Sequence, residues 1–439
     1  MNITTFKAFG SRNYRLYFTG QSVSLIGTWM QKTAVSWVIY TLTHSTFMLG
    51  LTLFASQFPS FLFSLLGGVI SDRYDRFKVL LFTQVASMIQ AAILAILILL
   101  GHYAVWEILA LSVLLGIINA FDVPARQAMV YEMIDDKKDL SNALALNSSM
   151  VNLSRLIGPA IAGFILEKLG DGTCFALNAL SFLAVIGSLL LMRLPKYIKQ
   201  VHTKNAFGEM KEGFEYLKQT PSIAFVIIML ALISLLVMPF STLLPVYARD
   251  IFKGTASTFG IIDSVIGLGA FSCAIFLASL KPGANLKRIL AFNTLIFGAG
   301  LALFSHQGNY PLALVFSAVT GFGMMSQVTV SNTLIQTTVD ANMRGRVISF
   351  YAMAVFGMQP LGGLVIGSIS KWIGTPDTLL VEGVIAVLVG LLHMRFLRKE
   401  KLKKKATHAS FRAANGSGSL NQYQLNFNIA TMKEPVRFL

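Results

Sequence analysis

Long apolar stretches alternate with short polar segments along nearly the whole chain. A helix needs about 20 residues to cross the hydrocarbon layer of a bilayer. Stretches of that length lie at residues 16–40, 46–70, 78–101, 104–123, 143–167, 173–194, 222–247, 258–280, 286–305, 310–331, 346–371 and 377–397. The pattern predicts an all-α integral membrane protein with about twelve transmembrane helices.

The longest internal connection, residues 196–221, has a pattern of its own. Apolar residues recur there every three or four positions, while charged residues occupy the other face: Phe207, Met210, Phe214 and Leu217 against Lys211, Glu212, Glu215 and Lys218. This spacing predicts an amphipathic helix lying on the membrane surface. It separates a first bundle of six helices, residues 1–195, from a second, residues 222–397.

The two predicted bundles share a pattern of glycines. Three glycines of the fifth span recur 204 positions later in the eleventh, and an acidic loop residue follows the same offset: Gly158, Gly163, Gly170 and Asp136 match Gly362, Gly367, Gly374 and Asp340. Such matches indicate parallel repeats about an axis along the membrane normal.

Charge is scarce and unevenly distributed. Charged residues make up 13% of the chain, about half the share of a soluble domain. The net charge of +16 arises from Lys and Arg in alternate loops between apolar spans, so it predicts topology and no nucleic-acid partner. By the positive-inside rule, both termini are expected in the cytoplasm. Residues 398–439 are expected to form a basic and then, from 411, disordered tail.

Adjacent glycines precede an acidic-basic loop after the second span. Gly68 is followed by Asp72, Arg73 and Arg76, an order similar to the loop signature of the major facilitator superfamily, although Asp75 stands where that signature has Gly. Gly68 is expected to let the helix end approach a neighbour closely. The charged side chains are expected to hold one side of the protein shut through charge-assisted hydrogen bonds.

Further segments carry a more specific resemblance, which runs from about residue 6 to residue 397. They are Gly27–Gln31, Ser36–Tyr40, Asn119–Ala128, Ser141–Ala143, Arg155–Pro159, Leu244–Asp250 and Arg344–Val347. Together they resemble the drug:proton antiporter branch of the major facilitator superfamily, which includes macrolide efflux pumps and the enterobactin exporter.

That resemblance implies alternating access by two six-helix bundles around a central cavity. The expected protein is a monomer in the bacterial inner membrane that exports drugs or siderophore-like small molecules at the expense of the proton gradient. Its partners would be the substrate, protons and lipid, without a cofactor or metal.

Ionisable side chains inside apolar spans are candidates for function, because a charge in the bilayer costs at least a few kcal/mol. Lys32, Asp263 and Glu382 lie in such spans, and all three are proton-coupling candidates. Asp263 is the foremost carboxylate, and Lys32 could pair with it or contact an anionic substrate. Alternatively each side chain snorkels to the interface, which we expect most for Glu382.

Two further groups of candidates follow from position. Conformational or gating roles are expected for Gly68, Asp72, Arg73, Arg76, Asp122, Arg126, Arg344 and Arg346. Contact with the substrate in the cavity is predicted for Gln31, Asn119, Gln327, Asn332 and Gln359, although such residues also join helices.

Sequence motifs typical of other protein classes are absent. The chain has no G-x-x-x-x-G-K-[ST] motif, no H-E-x-x-H motif and no metal-ligand spacing around its two cysteines, which disfavours an ATP-driven pump or an enzyme. An uptake permease or a lipid or metabolite flippase on the same fold stays open, as does a receptor-like scaffold without transport.

Overall fold

A computed structural model describes residues 4–101, 103–193, 206–281 and 283–416 of the chain. Within these ranges the protein is helical and contains no strand. The first half begins with a 3-10 helix, Thr4–Gly10, and has another, Lys137–Asp139, between its fourth and fifth long helices. Its long helices are α1 Arg12–Thr43, α2 Thr46–Arg73, α3 Arg76–Leu99, α4 Val105–Met133, α5 Leu140–Leu169 and α6 Asp171–Leu190.

The second half follows a connecting helix, α7 Ala206–Gln219. Its helices are α8 Pro221–Leu236, α9 Leu244–Val246, α10 Ala256–Ala278, α11 Leu286–Ser305, α12 Tyr310–Thr338, α13 Arg344–Ala352, α14 Met358–Ile373 and α15 Thr375–Gly416. A 3-10 helix, Met238–Leu243, joins α8 to α9, and π-helical turns lie at Tyr247–Ile251 and Met353–Gly357.

The twelve-span prediction is confirmed. Eleven segments of the described ranges are long and apolar enough to cross a membrane. The remaining span is α1, whose 32 residues include the polar side chains of Gln21, Gln31 and Lys32. These polar residues lower its mean hydropathy without shortening the helix.

Two parts of the prediction need correction. The seventh span was expected as one helix over 222–247, but the helix stops at Leu236 because Pro239 and Pro245 lack the N–H that a continuous helix requires. The last helix continues to Gly416, so residues 411–416 are helical rather than disordered. Residues 417–439 lie outside the described part of the chain.

The predicted amphipathic segment forms helix α7, which packs on the second half. Glu212 forms an ion pair with Arg346 at 2.7 Å, and the hydroxyl of Tyr216 donates to the carboxylate of Asp340 at 3.2 Å. Both partners lie just before or at the start of α13. Whether α7 also lies on a membrane surface remains a prediction.

Two helix pairs join the halves, and the repeat relates one pair to the other. In the α2–α14 pair, a Cβ on Gly50 would stand 2.1 Å from the carbonyl oxygen of Gly363. In the α10–α5 pair, a Cβ on Gly260 would stand 2.3 Å from the carbonyl oxygen of Pro159. Gly363 lies 204 positions after Pro159, the offset of the sequence repeat. The two interfaces are therefore equivalent, and both rely on close backbone approach.

The halves touch on one side of the protein and separate toward the other. We call the side on which α1 begins and α2 ends the basic side, and the side on which α1 ends the opposite side. At the opposite side, Val246 and Ala256 of the second half share a buried cluster with Ile39 and Leu49 of the first. On α2, contact with the other half extends to Phe61, which lies against Gly357.

At the basic side, each half has its own core. Val130 and Leu189 belong to a buried cluster of the first half, while Leu290 and Leu334 belong to one of the second. Among the described residues, the hydrogen bonds that join the halves lie in the middle of the spans or toward the opposite side. The protein is therefore closed at the opposite side and open at the basic side.

The glycine expected to approach a neighbouring helix is the wrong one of two. A Cβ on Gly67 would stand 1.9 Å from the carbonyl oxygen of Ala120 on α4, whereas a Cβ on Gly68 would meet nothing within 4 Å. Adjacent residues of a helix point about 100° apart, so only one of the pair faces α4. The close α2–α4 packing depends on Gly67.

Gly67→Ala should therefore destabilise the protein by about 1–3 kcal/mol, because the new methyl group overlaps the Ala120 carbonyl. Gly68→Ala is the matched control, since it makes the same chemical change one residue away in open space. Thermal unfolding midpoints of the two variants in one detergent measure the difference. Equal midpoints would contradict the close approach at Gly67.

Candidate functional site

Three ionisable side chains meet near the middle of the spans, where the α5–α10 interface adjoins α1. Lys32 comes from α1, Arg155 from α5 and Asp263 from α10. The charges of both Lys32 and Arg155 act on the Asp263 carboxylate. One half thus supplies two cations, and the other supplies the anion.

An indole ring and a hydroxyl group position these charges. The Nζ atom of Lys32 lies 4.8 Å from the centroid of the Trp29 ring, and the Cζ atom of Arg155 lies 5.6 Å from it. Both cations are thus within the range of a cation–π interaction. The hydroxyl of Thr33 donates to Oδ2 of Asp263 at 3.4 Å, across the two halves.

The three charged side chains of the cluster do not form a direct ion pair. No nitrogen of Lys32 or Arg155 lies within 4.0 Å of the Asp263 carboxylate, although all three residues belong to the described ranges. Lys32 is exposed even though it lies about three turns inside the end of α1. Its charge acts on Asp263 of the other half, so the exposed side chain lies at the boundary between the halves.

The charged cluster occupies one of the two equivalent interfaces. The repeat offset places Gln359 of α14 where α5 has Arg155. The pairing of Gly50 with Gly260 likewise places Leu53 of α2 where α10 has Asp263. The α2–α14 interface thus lacks both charges at these positions, and charge distinguishes two interfaces that share one architecture.

Polar contacts between the halves close the opposite side. Tyr40 at the end of α1 donates a short hydrogen bond to Asp250, and the hydroxyl of Thr255 donates to Glu167 at 2.5 Å. Trp37 stacks on Phe259 with ring centroids 6.2 Å apart. These contacts must break before the opposite side can open.

Two of the predicted cavity residues do not line a cavity. Gln31 is 4% exposed; it accepts from Asn178 at 2.6 Å and donates to Gln90 at 3.1 Å. Gln327 is 3% exposed and hydrogen-bonds with Thr294. Both amides join helices within one half, which corrects the expectation for Gln31 and Gln327. The remaining candidates, Asn119, Asn332 and Gln359, are half-buried, and Asn332 accepts from Gln336 at 2.8 Å.

Glu382 does not snorkel to the interface. Its side chain is 0% exposed, and neither carboxyl oxygen has a hydrogen-bond partner among the described residues. It lies in the second half on α15, near Tyr247. Glu382 therefore stands on a helix that contributes no residue to the cluster of Lys32, Arg155 and Asp263.

The predicted gating residues fall into separate groups within the halves. Asp122 is buried and forms a short ion pair with Arg126, and it also accepts from Gln84 at 2.6 Å and from Thr83 at 3.0 Å. This network fixes α4 to α3. In this conformation Asp122 and Arg126 therefore form a structural cluster inside the first half and do not contact the second.

The remaining gating candidates lie at the basic side. Arg76 bonds to Glu132 at the end of α4 at 2.8 Å and lies 3.9 Å from Asp72. Arg73 and Arg344 are exposed, and Arg346 holds Glu212 of α7, as described above. In this conformation the ion pairs of Arg76 lie within the first half, and the ion pair of Arg346 joins the second half to α7.

Sequence reasoning missed Arg155, Glu132 and the pair of Tyr40 with Asp250. Arg155 stands at the middle of the apolar segment 143–167 that predicts the fifth helix, and a charge at that position inside a span is the sequence signal that marks it. The Tyr40–Asp250 contact joins residues 210 positions apart, and no sequence signal connects them. Among the described residues, no three His, Cys, Asp or Glu side chains could together hold a metal ion.

Comparisons with known proteins agree with this architecture. Residues 3–432 match the family of transmembrane secretion effectors, a branch of the major facilitator superfamily. The chain is 26% identical over 396 residues to the staphyloferrin A transporter of Staphylococcus aureus, covering 89% of this chain and 97% of that protein. It is 23% identical over 390 residues to macrolide efflux protein A of Streptococcus pyogenes, covering 87% and 96%.

A solved structure shares the fold. The bacterial homologue of the human lysosomal transporter Spinster, in an inward-facing and unoccupied conformation, superposes with a TM-score of 0.68 at 14% identity. The match covers 88% of this chain and 97% of that one. At this level of identity the likeness concerns the fold alone.

Proposed function

We propose a function for this protein from one premise: the chain belongs to the transmembrane secretion effector family of the major facilitator superfamily. It is therefore a multi-pass membrane transporter and not an enzyme. The proposal is that it exports small molecules, drugs or siderophore-like compounds, from the bacterial cytoplasm and uses the proton gradient to do so. The relative named for macrolide efflux supports export.

Orientation is the first part of the proposal. Lys and Arg are concentrated in the loops of the basic side, for example Arg73, Arg76, Lys137 and Lys138. The positive-inside rule then puts the basic side in the cytoplasm, together with both termini. The conformation described above is accordingly inward-facing, with its opening toward the cytoplasm and its closed contacts toward the exterior.

Fusion of a reporter after Gly416 should test that orientation. We expect a fluorescent protein fused there to be bright and alkaline phosphatase fused there to be inactive, because Gly416 would lie in the cytoplasm. The matched control is alkaline phosphatase fused after Gly170, between α5 and α6, to a chain truncated there. This fusion should be active. Active phosphatase after Gly416 would reverse the orientation.

The charged cluster of the α5–α10 interface is the observation that carries the transport mechanism. Asp263 is the carboxyl group that lies between the halves and faces cations of the other half. Gain or loss of a proton there changes the attraction across an interface that must move during alternating access. We therefore place proton coupling at Asp263 and alternating access at the two glycine-rich interfaces.

Asp263→Asn should abolish proton-linked transport while leaving the protein folded. The assay uses everted membrane vesicles, in which a pH-sensitive dye reports the respiration-driven proton gradient. Addition of macrolides, cationic dyes, tetracyclines and catecholate siderophores should reveal a compound that collapses part of the gradient only when the protein is present. Asp377→Asn is the control, because Asp377 is exposed at the start of α15, where it contacts His306.

The outcomes of that assay separate the candidate functions. A substrate response that survives Asp263→Asn means that the coupling carboxyl lies elsewhere. No response of the wild type to any compound would contradict proton-driven export of these classes. That result would instead favour an uptake permease or a flippase on the same fold.

The loop between α2 and α3 is proposed to govern closure of the basic side. Arg76 fixes this loop to the end of α4 through Glu132, so the first half would meet the second as one body when the opening closes. The side chains of Arg76 and Glu132 are 20% and 26% exposed, and a pair of this exposure contributes at most about 1 kcal/mol.

Arg76→Ala should slow turnover roughly fivefold, the effect of about 1 kcal/mol on a conformational equilibrium. Lys78→Ala is the matched control, because Lys78 is an exposed cation of the same loop region. Initial rates in the vesicle assay compare the two variants. Equal rates would remove Arg76 from the gating mechanism.

A further inference from the structure

The central cluster has an excess of positive charge. Asp263 is the acidic side chain that acts on Lys32 and Arg155, and no carboxylate of the described residues lies within 4.0 Å of a nitrogen of either cation. Two cations therefore face one anion. Because a charge within the bilayer region costs at least a few kcal/mol when it is uncompensated, the site favours an additional negative charge.

The two cations are also available to a ligand. Lys32 is exposed and lies at the boundary between the halves, where its charge acts on Asp263. Arg155 has its Nη2 atom 3.6 Å from the sulfur of Met324, a weak acceptor, and not on a carboxylate. Trp29 holds both cations on its ring, so they are positioned without being neutralised.

The chemistry of the two cations specifies the kind of anion. A guanidinium group presents a planar fork that matches a carboxylate or a similar oxygen pair, and an ammonium group adds a compact point charge. Each cation can take one acidic group. A ligand with a single acidic group would leave one of them dependent on Asp263.

We propose that Lys32 and Arg155 form the binding site for an anionic substrate with at least two carboxylate or similar acidic oxygen groups, a polycarboxylate, and that Asp263 is the counter-ion displaced on binding. The inference rests on the proposed transport function only in identifying this ligand as the substrate. The site itself is defined by charge and geometry. A cationic substrate such as a macrolide or a cationic dye is disfavoured at this position.

Displacement of a counter-ion predicts, for each substitution, whether the affinity for the ligand rises or falls. Lys32→Gln and Arg155→Gln should weaken binding of a dianion at least about tenfold, equivalent to about 1.4 kcal/mol. Asp263→Asn should strengthen it, because the competing carboxylate is gone. A merely structural role for the cluster would make all three substitutions weaken binding.

Isothermal titration calorimetry on the full-length protein in detergent tests the proposal. The probes are citrate and phthalate, which carry more than one carboxylate, with benzoate as the singly charged comparison and ethidium as the cation. Lys281→Gln, which removes an exposed cation at the basic side, is the control for loss of one positive charge. Arg155→Lys keeps the charge without the fork and should give intermediate affinity.

The expected result is binding of at least one polyanionic probe, weaker binding of benzoate and none of ethidium, with the stated signs. Absence of binding by both polyanions, or ethidium binding that Asp263→Asn removes, would overturn the proposal. Unfolded variants are recognised by their thermal midpoints, and the gain of affinity in Asp263→Asn cannot come from unfolding.

Failure of this inference can be told apart from failure of the proposed function. Binding in detergent needs neither a gradient nor a direction, so the site can be correct even if the vesicle assay shows no export. Conversely, a proton response to a macrolide with no polyanion binding would leave export standing and refute the anion site.

Discussion

The cost of unsatisfied polarity in the hydrocarbon layer is the constraint on which the other features of this protein depend. A backbone N–H or C=O group has no water there, so every span must satisfy its own hydrogen bonds as a helix. Polar side chains must likewise find partners in neighbouring helices. The network of Gln31, Gln90 and Asn178 and the network around Asp122 do so within the first half. A charged side chain without such a partner marks a place where another group must supply the opposite charge.

The same constraint shapes the contact between the halves. A moving interface inside the membrane cannot rely on large polar surfaces, because these would be stranded when the halves separate. Here it relies on backbone-to-backbone approach at glycines such as Gly50 and Gly260, which leaves little unsatisfied when the contact changes. Polar contacts that do cross between the halves, such as Tyr40 with Asp250, lie toward the opposite side, near the ends of the spans. There they can exchange protein partners for water.

Hydrophobic patterning predicted the spans well, and side-chain direction accounts for most errors at the site. The spans, the two halves and the repeat are each predicted from many residues, so one residue that departs from the pattern does not change the prediction. Gln31 and Lys32 are neighbours on one helix, yet Gln31 is buried among helices of its own half and Lys32 is exposed. Gly67 and Gly68 differ in the same way. A polar residue in an apolar span shows that a partner exists, but its direction depends on the packing of helices distant in sequence.

The repeat adds an argument that neither half provides alone. Two structurally equivalent interfaces arise from the duplicated architecture, and packing alone would suit the same residues in both. Instead, Leu53 and Gln359 occupy one, while Asp263 and Arg155 occupy the other. Close packing therefore does not explain the charges, since the uncharged interface packs as closely without them. The charged interface joins the halves and also holds three ionisable side chains, so in the proposed transport cycle an ion or proton bound there would act directly on the contact between the halves.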